Sequence, residues 1–351
     1  MKKNEYHVVG VMSGTSLDGI DLVEVKFVLD ETWRFEIICA ETIAYSNIWH
    51  EKLKGLVSCD LEELKKIDTD YTVLLAEVIK TFITKNKIKN IDAVCSHGHT
   101  ALHRPENKLT YQIGNLPIIA QLLNETVVCD FRVADVELGG QGAPLVPIGD
   151  QLLFSEYDFC LNLGGFANIS TEINNERIAY DICPVNIVLN KYAQQLGFNY
   201  DDGGNIAASG IYLSHLGRLL NQLAFYKVAP PKSLGLEWVN KNIFPLIEAS
   251  HGSEKDILRT YSDHIAVQIS KVIKPNAKIL VTGGGAYNEY IISKIKRASK
   301  AEITIPNSDL VEFKEALIFG LLGVLKLRDE VNCLQSVTGA SKNHSSGIIY
   351  S

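Results

Sequence analysis

The chain has 351 residues and 46% hydrophobic side chains, more than a single core usually organises and enough for two. Its net charge of −7 keeps it soluble and argues against non-specific nucleic-acid binding. Seven cysteines (39, 59, 95, 129, 160, 183 and 333), with no CxxC pair, exclude a disulfide scaffold or zinc ribbon and fit a reducing cytosol.

The start, MKKNEYHVVGVM, puts Asn4, Glu5 and His7 where a secretory signal needs an unbroken apolar run, so no signal peptide is expected. HVVGVM then stops at SGTSLDG, and three later runs behave alike: IDAVCS before HGHT, FCLNL before GGFAN, and ILVT before GGGAYN. Short β-branched runs ending on glycine or polar clusters read as strands, and ligand sites in α/β folds lie beyond strand ends. Apolar periodicity predicts helices over 61–84, 186–196, 254–273 and 312–327, with Asp60 and Ser253 as N-caps. The apolar stretch from Ala316 to Leu325 is too short to span a bilayer and reads as a buried helix. Lys227 to Leu236, carrying Pro230, Pro231 and Gly235, reads as a loop. The pattern of His7 to Phe27, strand, glycine turn, strand, returns at Phe159 to Asp181. A repeat roughly 150 residues apart suggests two related α/β lobes sharing a cleft; two unrelated hairpins are the bland alternative.

Several segments carry chemistry. In VMSGTSLDGID, Ser13, Thr15 and Ser16 offer hydroxyls, Gly14 and Gly19 allow close approach, and Asp18 adds a carboxylate suited to magnesium. No Walker A or GxGxxG pattern is present. Gly164-Gly165 and Gly283-Gly284-Gly285, the latter followed by Asn288, offer bare backbone to a nucleotide. His97, His99 and His103 have no metal-site spacing; substrate hydrogen bonding, with His97 the candidate, and loop packing share the remaining readings. Cys95 reads as a buried strand residue. Arg132 follows an apolar strand and is suited to clamp an anion, against an ion pair with Asp130 or Asp135. Asp181 reads as a general base or a helix N-cap, and Glu315 as a functional acid or one favoured by a helix dipole.

The ordered motifs GVMSGTSLDGID, SHGHTALHRP, DFRVADVELGGQGAPLVP, LNLGGFANIS, YDDGGNIAASG, PPKSLGLE, VTGGGAYN and SVTGA resemble those of anhydro-N-acetylmuramic acid kinases, from about residue 8 to about residue 340. The resemblance implies two duplicated actin/hexokinase-like (ribonuclease H-like) α/β lobes with an interlobe nucleotide cleft. The first lobe is expected over 1–135, the second over 136–327, with residues from about 328 to 351 packing back onto the first. It implies a cytoplasmic, homodimeric enzyme that takes neither nucleic acid nor membrane as partner. Using ATP and Mg2+, it would hydrolyse the 1,6-anhydro ring of anhydro-N-acetylmuramic acid and phosphorylate O6.

By the same resemblance, Ser13, Gly14, Thr15, Ser16, Asp18 and Gly19 hold ATP phosphates, with Asp18 near the metal or the substrate. Gly283, Gly284, Gly285 and Asn288 flank the nucleotide, beside Gly164 and Gly165, which the residues themselves suggest for it. Asp181 activates water, and Arg132 and Glu315 contact the sugar. Three departures stand out. The family's DTGPGN is DICPVN here, adding Ile182, Cys183 and Val185 beside the expected base, where they are expected to crowd a ligand; SHGQT is SHGHT; and GRE after PPKS is Gly235-Leu236-Glu237. The alternatives are a kinase for a related amino sugar and a non-catalytic ATP-binding protein of the same fold.

Overall fold

The computed structural model describes residues 2–14 and 17–351. The chain forms two compact units, the first from Met1–Leu153 with Phe313–Ser351, the second from Phe154–Glu312.

The first unit is built on β1 (Glu5–Ser13), β2 (Ile20–Leu29), β3 (Trp33–Ile43), β4 (Ala93–Arg104), β5 (Leu109–Ile113) and β6 (Val127–Cys129). β1, β2 and β3 form an antiparallel meander, β4 joins β1 in parallel, and β6 joins β4 in parallel. The second unit uses β7 (Phe159–Leu163), β8 (Phe166–Ile173), β9 (Glu176–Pro184), β10 (Lys278–Thr282) and β11 (Glu302–Thr304). Here β7, β8 and β9 form the meander, and β10 and β11 continue from β7 in parallel. The first sheet therefore runs β3, β2, β1, β4, β6, with β5 a hairpin off β4, and the second runs β9, β8, β7, β10, β11, the same order once the β5 hairpin is set aside. Shared order and shared directions make this a duplicated fold, which two unrelated hairpins would not produce. β12 (Ile348–Tyr350) pairs antiparallel with β6 and ties the last residues to the first unit.

The expected caps form. Asp60 accepts a hydrogen bond from the Glu63 amide at 2.9 Å, ahead of helix Leu61–Lys85. Ser253 does the same for Asp256 ahead of helix Glu254–Val272. Each satisfies an amide the first helical turn leaves unpaired. The last apolar helix begins at Ser308, earlier than periodicity suggests, because Asn307 Oδ1 receives the Leu310 amide at 3.1 Å and so extends the helix into a polar turn.

That helix, Ser308–Leu327, explains where the units divide. Gly10 on β1 would place a Cβ 2.1 Å from the Ala316 carbonyl oxygen, and Gly323 would place one 2.1 Å from Cys95 Sγ on β4. Glycine at both contacts lets helix and sheet approach closely. Gly149 lies similarly close to Ile318, and the buried Asp150 and Lys314 pair at 2.7 Å. Helix Pro147–Leu153 thus stays with the first unit. The divisions fall at 153/154 and 312/313, against the 135/136 and 327/328 expected from sequence.

Candidate functional site

The β1–β2 turn carries the first cluster. Thr15 and Ser16 lie outside the described residues. Gly19 is required by packing, since a Cβ would sit 2.6 Å from the Ile43 carbonyl oxygen. Leu17 holds a left-handed φ of 62°, unusual for a bulky side chain. Gly14 is half-buried, while Asp18 is exposed and has no hydrogen-bond or ion-pair partner among the described residues. Ser13 is buried, and its hydroxyl is shared between Tyr45 OH at 2.6 Å and His99 Nδ1 at 2.8 Å, with Tyr45 linked onward to Tyr71 OH at 2.6 Å. Burial lowers His99 to about 4, which keeps its ring neutral. Ser13 therefore fixes the turn, and its hydroxyl is already engaged. Spacing gave no sign of Tyr45 or Tyr71.

Arg132 centres the second cluster. Its Nε donates to His97 Nε2 at 2.8 Å and its Nη1 to the Gly142 carbonyl at 2.6 Å. His97 Nδ1 lies 2.9 Å from the Gly98 carbonyl, an acceptor, so Nδ1 carries the proton and Nε2 is free to accept. Burial first, then the neighbouring guanidinium, holds His97 well below its usual range. Gly142 is pinned from its other side, its amide donating to Asp135 Oδ2 at 2.7 Å. Gly140 has to be glycine because a Cβ would meet Asp135 Oδ2 at 2.2 Å. Gly140 and Gly142 of DVELGGQG thus serve Arg132's support. Arg132 forms no ion pair with Asp130 or Asp135 among the described residues, which disposes of that reading.

Glu315 faces the same arginine electrostatically. It is exposed by accessible area, yet desolvation raises its carboxyl, with Arg132 opposing the rise. Glu315 stands eight residues into its helix, so the helix dipole does not account for it. Burial lowers Arg132 to about 10, with Glu315 opposing, and leaves it charged at neutral pH. The three histidines of SHGHTALHRP take different partners: Arg132 for His97, Ser13 for His99 and Thr110 for His103.

In the second unit, Asp181 lies in β9, and helix Asn186–Gln195 has Val185 at its N-cap position, so Asp181 is not a cap. Pairing shifts between Ala167↔Cys183 and Asn168↔Asp181, leaving Ile182 as the extra residue of a bulge, a device that re-aims neighbouring side chains. The Asp181 amide donates to the Lys232 carbonyl at 3.0 Å, and the Leu234 amide donates to Asp181 Oδ2 at 2.8 Å. Oδ1 has no partner among the described residues. Burial raises this carboxyl above the ordinary carboxylate range, while the Leu234 amide pulls the other way. The PPKSLG loop therefore aims the acid, a role its composition did not announce. Ile182, Cys183 and Val185 are at most 2% exposed and belong to the second unit's core. Their side chains point inward, and the expected crowding does not arise from them.

The glycine turns divide by role. Gly283 and Gly285 press on Asn162 and Leu163, with Cβ positions 2.6 and 2.7 Å from the nearest atoms, and Gly283 has φ 79°. A Cβ at exposed Gly165 meets nothing within 4 Å, at exposed Gly284 only Asn186 Nδ2 at 4.0 Å, and at Gly164 only Asn162 Nδ2 and the Phe166 carbonyl oxygen, at 3.3 and 3.8 Å. Packing does not demand glycine at 165 or 284, so their open backbone is available to a ligand. Asn288 caps helix Glu289–Ser299 through the Ile291 amide at 3.0 Å and lies against Gly204.

Two sheets in one repeated order, each with its polar clusters at strand ends, define the duplicated α/β fold of the actin and sugar-kinase class. Comparison with known proteins narrows the class. Residues 6–351 match the anhydro-N-acetylmuramic acid kinase family, and the chain belongs to it. It is 34% identical to the anhydro-N-acetylmuramic acid kinase of Mannheimia succiniciproducens, covering 100% of both chains. It is 33% identical to that of Francisella tularensis subsp. novicida, covering 96% of this chain and 97% of the relative. Among solved structures, component A of (R)-2-hydroxyglutaryl-CoA dehydratase from Acidaminococcus fermentans is 12% identical with a TM-score of 0.49, covering 92% and 99% of the two chains. That likeness is too distant to say anything of this chain's chemistry. No helix among the described residues is long and apolar enough to cross a membrane.

Proposed function

We propose that this protein consumes ATP and water to convert anhydro-N-acetylmuramic acid into N-acetylmuramic acid 6-phosphate and ADP, a step of cell-wall recycling. Asp181 is the general base. Its Oδ1 takes a proton from the water whose oxygen bonds to C1; the C1–O6 bond breaks, and O6 accepts the γ-phosphoryl group. Leu234 holds Oδ2, so the carboxylate is oriented while Oδ1 is available. Arg132, with two N–H groups anchored and others left, takes the lactyl carboxylate. Glu315 contacts the sugar beside it. His97 is a positioning residue for Arg132.

The residues suit ATP and a divalent cation. Gly165 and Gly284 leave the second unit's turns open to a nucleotide, with Gly164, Gly283, Gly285 and Asn288 shaping them. Asp18 supplies the single hard carboxylate that Mg2+ takes alongside phosphate oxygens and water, in a turn whose Gly14 and Gly19 permit close approach. When bound, the cation offsets phosphate charge. The cytoplasmic location and homodimer implied by the resemblance belong to the same proposal.

The observation that carries this reading is Asp181, a desolvated carboxyl oriented through one oxygen, in a chain of this family. The test is to mix the protein with ATP and the anhydro sugar and to quantify ADP and phosphorylated sugar. Equal yields of the two, with no ADP in the absence of sugar, are expected. ADP release indifferent to the sugar would overturn the reading. The inward-facing side chains of DICPVN supply no reason to prefer another amino sugar.

A further inference from the structure

Apart from the kinase residues, one group of metal-ligating side chains among the described residues converges in the first unit. Cys333 and His344 form a two-residue antiparallel bridge, their amides and carbonyls bonding reciprocally at 3.1 and 3.2 Å. Directly opposed residues of such a bridge project their side chains to the same face. Both side chains face the fully buried Asp135 of helix Val133–Glu137, with Cys333 Sγ 3.0 Å and His344 Nε2 3.6 Å from Oδ1. One ligand atom from each residue lies within 4.8 Å of the others.

The histidine shows what is missing. His344 Nδ1 lies 3.1 Å from the Lys342 carbonyl and must donate to it, so in the neutral ring Nε2 carries a lone pair. Nε2 is buried without a hydrogen-bond partner, on a side chain 7% exposed, and 3.6 Å from a carboxylate oxygen is too long for a hydrogen bond. A lone pair aimed at an acceptor calls for something positive between them. A histidine that donates its other nitrogen to a backbone carbonyl is also the arrangement that orients metal ligands.

We propose that Asp135, Cys333 and His344 bind one zinc ion, or a similar borderline divalent cation. Ligand atoms around tetrahedral zinc lie about 3.3–3.5 Å apart, close to the 3.0 and 3.6 Å that separate Sγ and Nε2 from Asp135 Oδ1. On binding, the Cys333 thiol releases its proton to solvent and a sulfur–metal bond forms; thiolate, carboxylate, neutral imidazole and Zn2+ then sum to zero charge. Asp135 keeps its outer bonds, Oδ2 to the Gly142 amide at 2.7 Å and Oδ1 to the Thr338 hydroxyl at 2.6 Å. The ion would fasten residues 333–344 to the turn that supports Arg132.

Cobalt titration of the full chain, stripped of metal by a chelator, tests this. One equivalent of Co2+ is expected to produce a thiolate-to-cobalt charge-transfer band in the near ultraviolet, and Zn2+ to bleach it. Cys333→Ser should abolish the band, and His344→Gln should weaken Co2+ affinity by more than about tenfold. Cys39→Ser, on another strand, should leave it unchanged. Zn2+ should raise the melting temperature of the wild type but not of Cys333→Ser. Magnesium bound through Asp18 gives no thiolate band, so kinase metal does not interfere. A wild-type cobalt spectrum without the band, which needs no variant to fold, overturns the proposal; so does a band that survives Cys333→Ser.

Discussion

Arg132 gives its Nε hydrogen to His97 Nε2 over 2.8 Å, and the Gly98 carbonyl fixes the imidazole tautomer that can accept it. An arginine held this way meets an anion with its remaining N–H groups already oriented, so less side-chain freedom is lost on binding. Arg132→Lys is expected to raise KM for the anhydro sugar about 10- to 100-fold with a smaller change in kcat. His97→Phe, which keeps a ring against Phe319 but removes the acceptor, should raise KM by about tenfold. Steady-state kinetics on both variants decides the matter; a pure kcat effect in His97→Phe would contradict a positioning role.

Asp181→Asn should lower kcat by at least about 100-fold while leaving ATP affinity intact, because the amide can still receive the Leu234 bond but cannot take a proton. The pH profile adds a second check. Burial raises this carboxyl, so the ionised form is lost at a higher pH than for an ordinary aspartate. Activity should therefore fall on the acid side through a midpoint above about 4, the unperturbed value. A limb at or below that value would argue for a different base.

The glycine turns permit a clean separation of packing from binding. Gly165→Ala adds a methyl that meets no protein atom, so the melting temperature should hold while ATP affinity drops several-fold. Gly285→Ala places a Cβ 2.7 Å from Leu163 Cβ and should lower stability by about 1–3 kcal/mol. Calorimetric melting with and without ATP measures both. Unchanged ATP affinity in Gly165→Ala would remove that turn from the nucleotide site.

Asp130, partly buried and in a left-handed conformation with φ 57°, is raised to about 6, by burial first and then by Glu137. Its folded value exceeds its unfolded one, so its contribution to stability is most favourable below about 4 and declines as pH rises to about 6. Asparagine tolerates the same backbone. Asp130→Asn is expected to be more stable than wild type at pH 7, by about 1–2 kcal/mol after discounting for partial exposure, and equal to it near pH 4. Denaturant titrations at the two pH values test the crossover.

Local rules were readable in the sequence. Asp60 and Ser253 cap the expected helices because capping involves residues three apart, and the second start at Phe159 shows because a strand and glycine turn are short-range patterns. What escaped reading is long-range. The amide that aims Asp181 comes from Leu234, 53 residues on, and Ser13 meets Tyr45 and His99 across the sheet. Glycine runs were visible, but whether a glycine serves packing, as at 285, or leaves open backbone, as at 165, depends on neighbours distant in the chain. The inward turn of Ile182 and Cys183 follows from a bulge that residue types alone do not signal.

The second unit is one uninterrupted stretch, whereas the first is closed only by helix Ser308–Leu327 and β12. On the ribosome, the portion made first is thus the last to finish: residues 154–312 emerge complete while the face of β1 and β4 that awaits the helix is still bare. A nascent chain stalled near residue 312 should engage chaperones and aggregate through that face, while a fragment of residues 154–312 should remain soluble. Release of the final 39 residues, Phe313–Ser351, not the start of synthesis, then sets when the protein ceases to be sticky.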